Sequence, residues 1–234
     1  MKGKMFGLGV GPGDSELMTV KAARLVGEAD IIITPKTEKK DGSVALNIAK
    51  PYIQDHTEIV PVVFPMNLSD EWSDAWDVAR DIIVSYLDQG KNIVFLTLGD
   101  PMFYSTYMYV FRLVQDAGYE IETVPGITAF TAIGSYLGYP IVEDEEILTV
   151  IPATADKEKI DAALAASDDA VIMKVYKRFD KIKELLLKHD MVDDAVMISR
   201  IGLDDEVVYR GLRDVPVDVD LNYLTTILTK KKKG

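Results

Sequence analysis

Three short turns carry the residues of this sequence whose types and spacing can do chemistry. The first is Gly99-Asp100-Pro101, which ends the apolar run Asn92-Ile93-Val94-Phe95-Leu96-Thr97-Leu98. Such a run reads as a buried parallel strand. That places Asp100 at the carboxyl end of a sheet strand, where open α/β sheets bind ligands. Gly99 allows close approach to the backbone. Asp100 can accept hydrogen bonds from amino or hydroxyl groups and can sit near a positive centre. Phe103 and Tyr104 follow at once, nearest the strand end and best placed to meet a ligand. Gly-Asp-Pro is equally the composition of an ordinary turn. The second turn is Gly11-Pro12-Gly13-Asp14, after the run Met5-Phe6-Gly7-Leu8-Gly9-Val10. The third is Pro125-Gly126-Ile127-Thr128-Ala129, after Glu120 to Val124. Thr128 fits a helix cap as well as a hydroxyl facing a ligand. Three such turns on one sheet edge argue for a site more strongly than any one alone.

Several chemistries are excluded. A nicotinamide-dinucleotide fingerprint starting at Gly7-x-Gly9 needs a third glycine where Pro12 stands, and an acid at the second strand's end where Thr34-Pro35 stand. No Gly-Lys-Ser/Thr follows, which removes a P-loop. The absence of cysteine removes disulfides, thiolate metal sites and cysteine nucleophiles. Two histidines, His56 and His189, are too few for a histidine-rich metal centre, and no metal site is expected. A net charge of −12 and a pI near 4.7 argue against nucleic-acid binding. An anionic substrate needs local cations working against that field; Lys36, Lys39, Lys40, Arg112, Lys174, Lys177, Arg178 and Arg200 are the candidates. No apolar run reaches the roughly 20 residues that span a bilayer. Gly9 to Asp14 interrupts any signal-peptide pattern, so a soluble cytoplasmic protein with no membrane partner is expected.

The elements that must hold these turns follow from the periodicity. Thr19 is a plausible N-cap for a helix to Glu28, with Ala22, Ala23, Leu25 and Val26 on its apolar face. Ala29 to Thr34 is a second strand, parallel to the first through a right-handed crossover. A short helix over Ser43 to Lys50 precedes a strand at Glu58 to Phe64, which Pro61 assigns to a sheet edge or a bulge. Ser69 caps a long helix to Gln89, closed by Gly90; Trp72 and Trp76 lie one turn apart on it and read as core or interface. Met102 to Ala117 reads as a helix, as does the stretch from Thr128 to Leu137. From Leu148 the pattern restarts: strand Leu148 to Ile151, helix Asp156 to Ala166, strand Ala170 to Val175, helix Phe179 to His189, strand Ala195 to Ile201. Val207 to Gly211 and Tyr223 to Leu228 close the chain as antiparallel strands, and Lys230 to Lys233 read as a frayed tail. The expected fold is therefore two α/β domains, a mainly parallel sheet in 1–145 and a mixed sheet in 146–234. The acidic stretch within Val142 to Ile147 is the seam.

Together, Gly9-Val10-Gly11-Pro12-Gly13-Asp14, Thr19 with Ala22 to Asp30, Gly99-Asp100-Pro101 and Pro125-Gly126-Ile127-Thr128-Ala129 resemble the tetrapyrrole (class III) methyltransferases over essentially the whole chain. Ser43-Val44-Ala45, Phe64-Pro65-Met66, Leu96 to Pro101 with Tyr104-Ser105-Thr106, and Met173-Lys174-Val175 are most similar to the branch that methylates C20 of precorrin-2 or cobalt-precorrin-2. The resemblance implies S-adenosylmethionine held in a cleft between the domains, a tetrapyrrole substrate and a homodimer. By position it implies cofactor contacts at Pro12, Leu98, Gly99, Asp100, Phe103, Thr128, Ala129, Met173 and Gly202. Asp100 and Tyr104 are the candidates for a proton-accepting catalytic group. Some relatives that methylate uroporphyrinogen carry an Asp at the end of the second strand; Thr34-Pro35 there point to a different ring position.

Overall fold

Runs of β-branched residues alternate with amphipathic segments through the first part of the chain, and each run becomes a parallel strand. The computed structural model describes residues 2–35, 43–62 and 73–232. The chain divides into two units, Met1–Thr128 and Ala129–Gly234.

In the first unit, strands β1 (Met5–Gly9), β2 (Ile31–Pro35), β3 (Glu58–Val62), β4 (Ile93–Thr97) and β5 (Ile121–Val124) form one sheet in the order β3-β2-β4-β1-β5. Every pairing is parallel, so all five carboxyl ends share one edge. β1 and β2 are parallel as expected, but β4 lies between them. β4 is buried at all five positions, as its unbroken apolar run requires. β3 is the edge strand, one of the two positions that Pro61 allows.

Helices α1 (Val20–Glu28) and α2 (Val44–Ala49) cover one face, with Ala22, Leu25, Val26, Ile48 and Ala49 buried on Ile32, Val94 and Leu96. Helices α3 (Ser73–Asp88) and α4 (Tyr107–Asp116) cover the other, with Trp76, Ile83, Leu87, Tyr107 and Val110 on Ile31, Ile33, Ile93 and Phe95. The Thr19 hydroxyl accepts from the Ala22 N–H at 3.1 Å and caps α1 as its sequence predicts. Trp76 is core, meeting Tyr109 edge-on with ring centres 5.5 Å apart. Trp72, the Ser69 cap, Lys36, Lys39, Lys40 and the Phe64-Pro65-Met66 segment lie outside the described residues.

One helix is shorter than its periodicity predicts. α4 starts at Tyr107, not Met102. Tyr104 has φ +49°, a left-handed conformation that no right-handed helix accommodates. The Ser105 hydroxyl accepts the Tyr107 N–H at 3.1 Å at the true start of the helix.

The second unit opens with α5 (Ala129–Leu137) and continues through β6 (Leu148–Pro152), α6 (Lys157–Ala166), β7 (Asp169–Met173), α7 (Phe179–Lys188), β8 (Val196–Ser199), β9 (Val207–Arg210) and β10 (Thr225–Lys230). Its sheet runs β6-β7-β10-β8-β9 and is mixed: β6 and β7 are parallel, and β10 is antiparallel to both β7 and β8. Helices α6 and α7 fill one face through Ile160, Leu164, Ile182 and Leu186. Ala132 and Ile133 of α5 pack on the other against Val171, Ile198 and Leu228. That burial places α5 in the second unit, Ala129–Gly234.

The basic tail is not frayed through Lys232. Lys230 is the last residue of the central strand β10, and its ammonium lies 3.2 Å from Glu143 and 3.5 Å from Glu146. The Lys231 N–H donates to the Asp168 carbonyl at 2.8 Å, and the Lys232 N–H to that of Asp190 at 3.3 Å. Central strands need partners on both sides, and β10 carries the tail into the fold with it.

Candidate active site

Strand order creates the site in the first unit. From β1 the chain leaves over the α1 face; from β4 it leaves over the α4 face. Neighbouring strands whose connections depart to opposite faces leave a crevice outside their carboxyl ends, the usual ligand position in open α/β sheets. The turns after β1, β4 and β5 border it.

These turns are tied together by backbone. Gly11 and Gly99 pair, with Gly99 N–H donating to the Gly11 carbonyl at 2.8 Å and Gly11 N–H to the Gly99 carbonyl at 3.3 Å. Val10 N–H donates to the Thr97 carbonyl at 2.9 Å. The β5 turn approaches the other two more closely still. A Cβ on Gly126 would lie 2.1 Å from the Gly99 carbonyl oxygen, and one on Gly9 would lie 2.6 Å from the Gly126 Cα. No side chain fits at either position.

Asp100 is the staple. Its Oδ1 accepts the Met102 N–H at 2.8 Å, closing its own turn, and its Oδ2 accepts the Gly126 N–H at 3.0 Å, holding the β5 turn. Both carboxylate oxygens therefore serve the architecture. This role was invisible in the sequence, because nothing local pairs Asp100 with a residue 26 positions away.

Pro12 is buried beside Gly11, Leu98 packs onto the α1-side core, and Phe103 and Tyr104 stack edge to face with ring centres 4.9 Å apart. Partial burial raises the Tyr104 phenol above its ordinary value, although the side chain remains 41% exposed. Its left-handed backbone is the kind of local strain that clusters at functional sites. Thr128 stands immediately before α5. The structure thus brings Pro12, Leu98, Gly99, Asp100, Phe103 and Tyr104 to the sheet edge that the β5 turn also borders. Tyr107 is drawn away: it is fully buried across Gly7, with its hydroxyl 2.8 Å from that of Thr123.

The remaining predicted contacts lie in the second unit. Ala129 is the first residue of α5 and packs into that unit's α5-side core. Met173 ends β7, and Gly202 follows β8 with φ +70°. Lys174 and Arg200, directly after β7 and β8, both adopt left-handed backbone, with φ +59° at each. Arg200 is ion-paired with Asp205. Arg112, Lys177 and Arg178 are exposed.

The backbone at the first-unit turn is open. Gly99 has φ +70°, and an added Cβ there would meet nothing nearer than the Ile127 carbonyl at 3.9 Å, so bare peptide faces open space. A planar or polar ligand can lie directly on such a surface. No helix among the described residues is long and apolar enough to cross a membrane.

Known proteins resemble this chain over nearly its whole length. The family described as Tetrapyrrole (Corrin/Porphyrin) Methylases matches residues 4–215. A cobalt-precorrin-2 C(20)-methyltransferase of Salmonella typhimurium is 36% identical over 99% of this chain and 98% of its own. A precorrin-2 C(20)-methyltransferase of Sinorhizobium sp is 31% identical over 92% of this chain and 95% of its own. Among solved structures, a cobalt precorrin-4 methyltransferase superposes with TM-score 0.79 at 19% identity, covering 97% of this chain and 94% of that one. A uroporphyrin-III C-methyltransferase of Thermus thermophilus, complexed with S-adenosyl homocysteine, superposes with TM-score 0.72 at 18% identity, covering 97% and 92%. At those identities the superpositions speak for the fold, whereas the family match spans nearly the whole chain: this protein belongs to the tetrapyrrole (corrin/porphyrin) methylases.

Proposed function

We propose that this chain transfers a methyl group from S-adenosylmethionine to C20 of precorrin-2 or cobalt-precorrin-2, a step of cobalamin biosynthesis, and that it does so as a cytoplasmic homodimer. The observation that carries the reading is the full-length similarity to proteins named for that reaction, at 36% and 31% identity. The stapled turns after β1, β4 and β5 support it by supplying a rigid ligand-facing edge.

S-adenosylmethionine supplies an electrophilic methyl group on a positively charged sulfur. The acceptor is an electron-rich ring carbon: as the new carbon–carbon bond forms the sulfur–methyl bond breaks, the positive charge passes from sulfur to the ring, and it is discharged when the ring proton leaves. The chain's task is accordingly alignment, and orientation of two reactants contributes several kcal/mol or more. In this reading Pro12, Leu98, Gly99 and Phe103 line the donor, with Thr128, Ala129, Met173 and Gly202 as its further contacts. Asp100 holds the turns in register. Its carboxylate is engaged by two backbone N–H groups. The Tyr104 phenol, raised above its ordinary value by burial, keeps its own proton near neutrality, so Tyr104 serves as a hydrogen-bond donor and not as the acceptor of the ring proton. Lys174 and Arg200 are the cations proposed to meet peripheral carboxylates of the substrate.

The test is anaerobic incubation with S-adenosylmethionine and precorrin-2, with and without cobalt, with products read by mass spectrometry and NMR. One added methyl at C20 is expected. Methylation at another carbon, or none, overturns the assignment. Sedimentation of the same preparation tests the dimer.

A further inference from the structure

The segment between β8 and β9, residues 200–206, is fixed from inside by more bonds than its length demands. Arg200 N–H donates to the Leu224 carbonyl at 3.0 Å, at the entrance to β10. Leu203 N–H donates to the Arg200 carbonyl at 3.1 Å, and Glu206 N–H to the Leu203 carbonyl at 3.0 Å. The Arg200 guanidinium pairs with Asp205. Two residues of the segment, Arg200 and Gly202, hold left-handed backbone. For a non-glycine residue that conformation is strained and persists only where surrounding contacts enforce it.

One side chain does what the turn bonds do not. The Glu206 Oε2 accepts the Gly202 N–H at 2.8 Å. The Gly202 amide is thereby held by a carboxylate four residues on. Glu206 is only half-exposed, and it is also hydrogen-bonded to the phenol of Tyr136 on α5, which raises that phenol above its ordinary value. Its carboxylate therefore joins the β8–β9 segment to the helix that begins at Ala129. Both ends of this link carry residues assigned above as donor contacts, Gly202 and Ala129.

We infer that Glu206 is a positioning residue for the methyl donor, setting the backbone of Gly202 through its amide and tying that segment to α5. The inference rests on the proposed function, since it takes Gly202 as a donor contact. Glu206 itself need not touch the donor.

The experiment compares wild type, Glu206→Gln and Glu206→Ala. Affinity for S-adenosylhomocysteine is measured by calorimetry, exchange of the Gly202 amide by NMR, and KM and kcat with the full substrate pair. Glutamine keeps an oxygen that can accept the Gly202 N–H; alanine does not. Glu206→Ala is expected to weaken binding about tenfold, raise the KM for S-adenosylmethionine by a similar factor, leave kcat within about twofold, and expose the Gly202 amide to exchange. A tenfold loss corresponds to about 1.4 kcal/mol, the scale of one charged hydrogen bond. Glu206→Gln is expected to recover most of the affinity and the protection. Wild-type affinity in Glu206→Ala overturns the inference. So does equal loss in both variants, which would mean that the charge matters and not the held amide. Wild-type protein that binds no S-adenosylhomocysteine instead overturns the functional reading beneath it, and that arm is scored before either variant.

Discussion

Asp100 shows how a single carboxylate can look catalytic while serving as a joint. An acid at a strand end beside glycine invites the role of proton acceptor, yet its two oxygens are filled by the Met102 and Gly126 N–H groups at 2.8 and 3.0 Å. The two roles predict different damage. Asparagine is nearly the same shape but replaces one acceptor with an NH2 group, which would face a backbone N–H. A half-buried donor left facing a donor costs about 1–3 kcal/mol. Asp100→Asn is therefore expected to weaken S-adenosylhomocysteine binding about tenfold or more by calorimetry. It should raise the KM for S-adenosylmethionine more than it lowers kcat. If Asp100 takes the proton, kcat falls instead with affinity intact. Glu206 is the second-unit counterpart, a carboxylate whose use is to hold an amide.

The elements were legible wherever local pattern decides them. The Thr19 cap, the buried run of β4, the edge position signalled by Pro61 and the antiparallel closing strands all rest on residues close in sequence, and each is where its chemistry puts it. What sequence did not reveal depends on distant partners. The left-handed Tyr104 shortens α4, and no propensity records that. Lys230 to Lys232 read as a tail because charge runs usually do, but β10 sits between β7 and β8 and its end is pinned by Glu143, Glu146 and Asp168. The turn glycines were recognised as site features without the reason for Gly126, which is contact between two backbones. That reason is testable at the level of the turn. Gly126→Ala forces a methyl to 2.1 Å from the Gly99 carbonyl oxygen, where neither chain can yield cheaply. It is expected to cost about 2 kcal/mol or more in urea unfolding and to abolish S-adenosylhomocysteine binding. Gly118→Ala is the control, with φ +82° but open space around it. It pays only the left-handed backbone penalty, about 1 kcal/mol, and should keep its affinity. Equal losses of affinity in the two variants would refute the close-approach argument.

At the scale of the whole molecule, a chain carrying a net charge of −12 has to place its carboxylates with care, and its pH response follows from where it puts them. Asp169 is 1% exposed at the start of β7, and one of its oxygens has no hydrogen-bond partner among the described residues. Burial first, then hydrogen bonding to Glu146 and the charges of Glu146 and Asp168, push its carboxyl up to about 6; Lys230 opposes the shift without cancelling it. A carboxyl with a folded pKa above its unfolded value binds its proton more tightly in the native state. Stability should therefore rise as pH falls from about 7 through about 6, and the gain is complete near the unfolded value of about 3.9. Other acids act in the opposite sense. Glu122, hydrogen-bonded to Lys21 and Lys4, is held down at about 2, and Asp161 and Asp193 are lowered by Lys188 with His189 and by Arg213. Their contributions are present above about pH 4.5 and are lost as pH falls toward those depressed values. The two trends predict a stability maximum between about pH 4 and pH 6, on the acidic side of neutrality. Asp169→Asn removes the first trend while keeping the side chain's shape. At pH 7.5 the variant is expected to unfold at higher urea concentration than wild type, and the two curves should converge at about pH 4. A constant offset across that range would show that Asp169 does not titrate there, and that the cluster of Glu146, Asp168, Asp169 and Lys230 is settled in one charge state throughout.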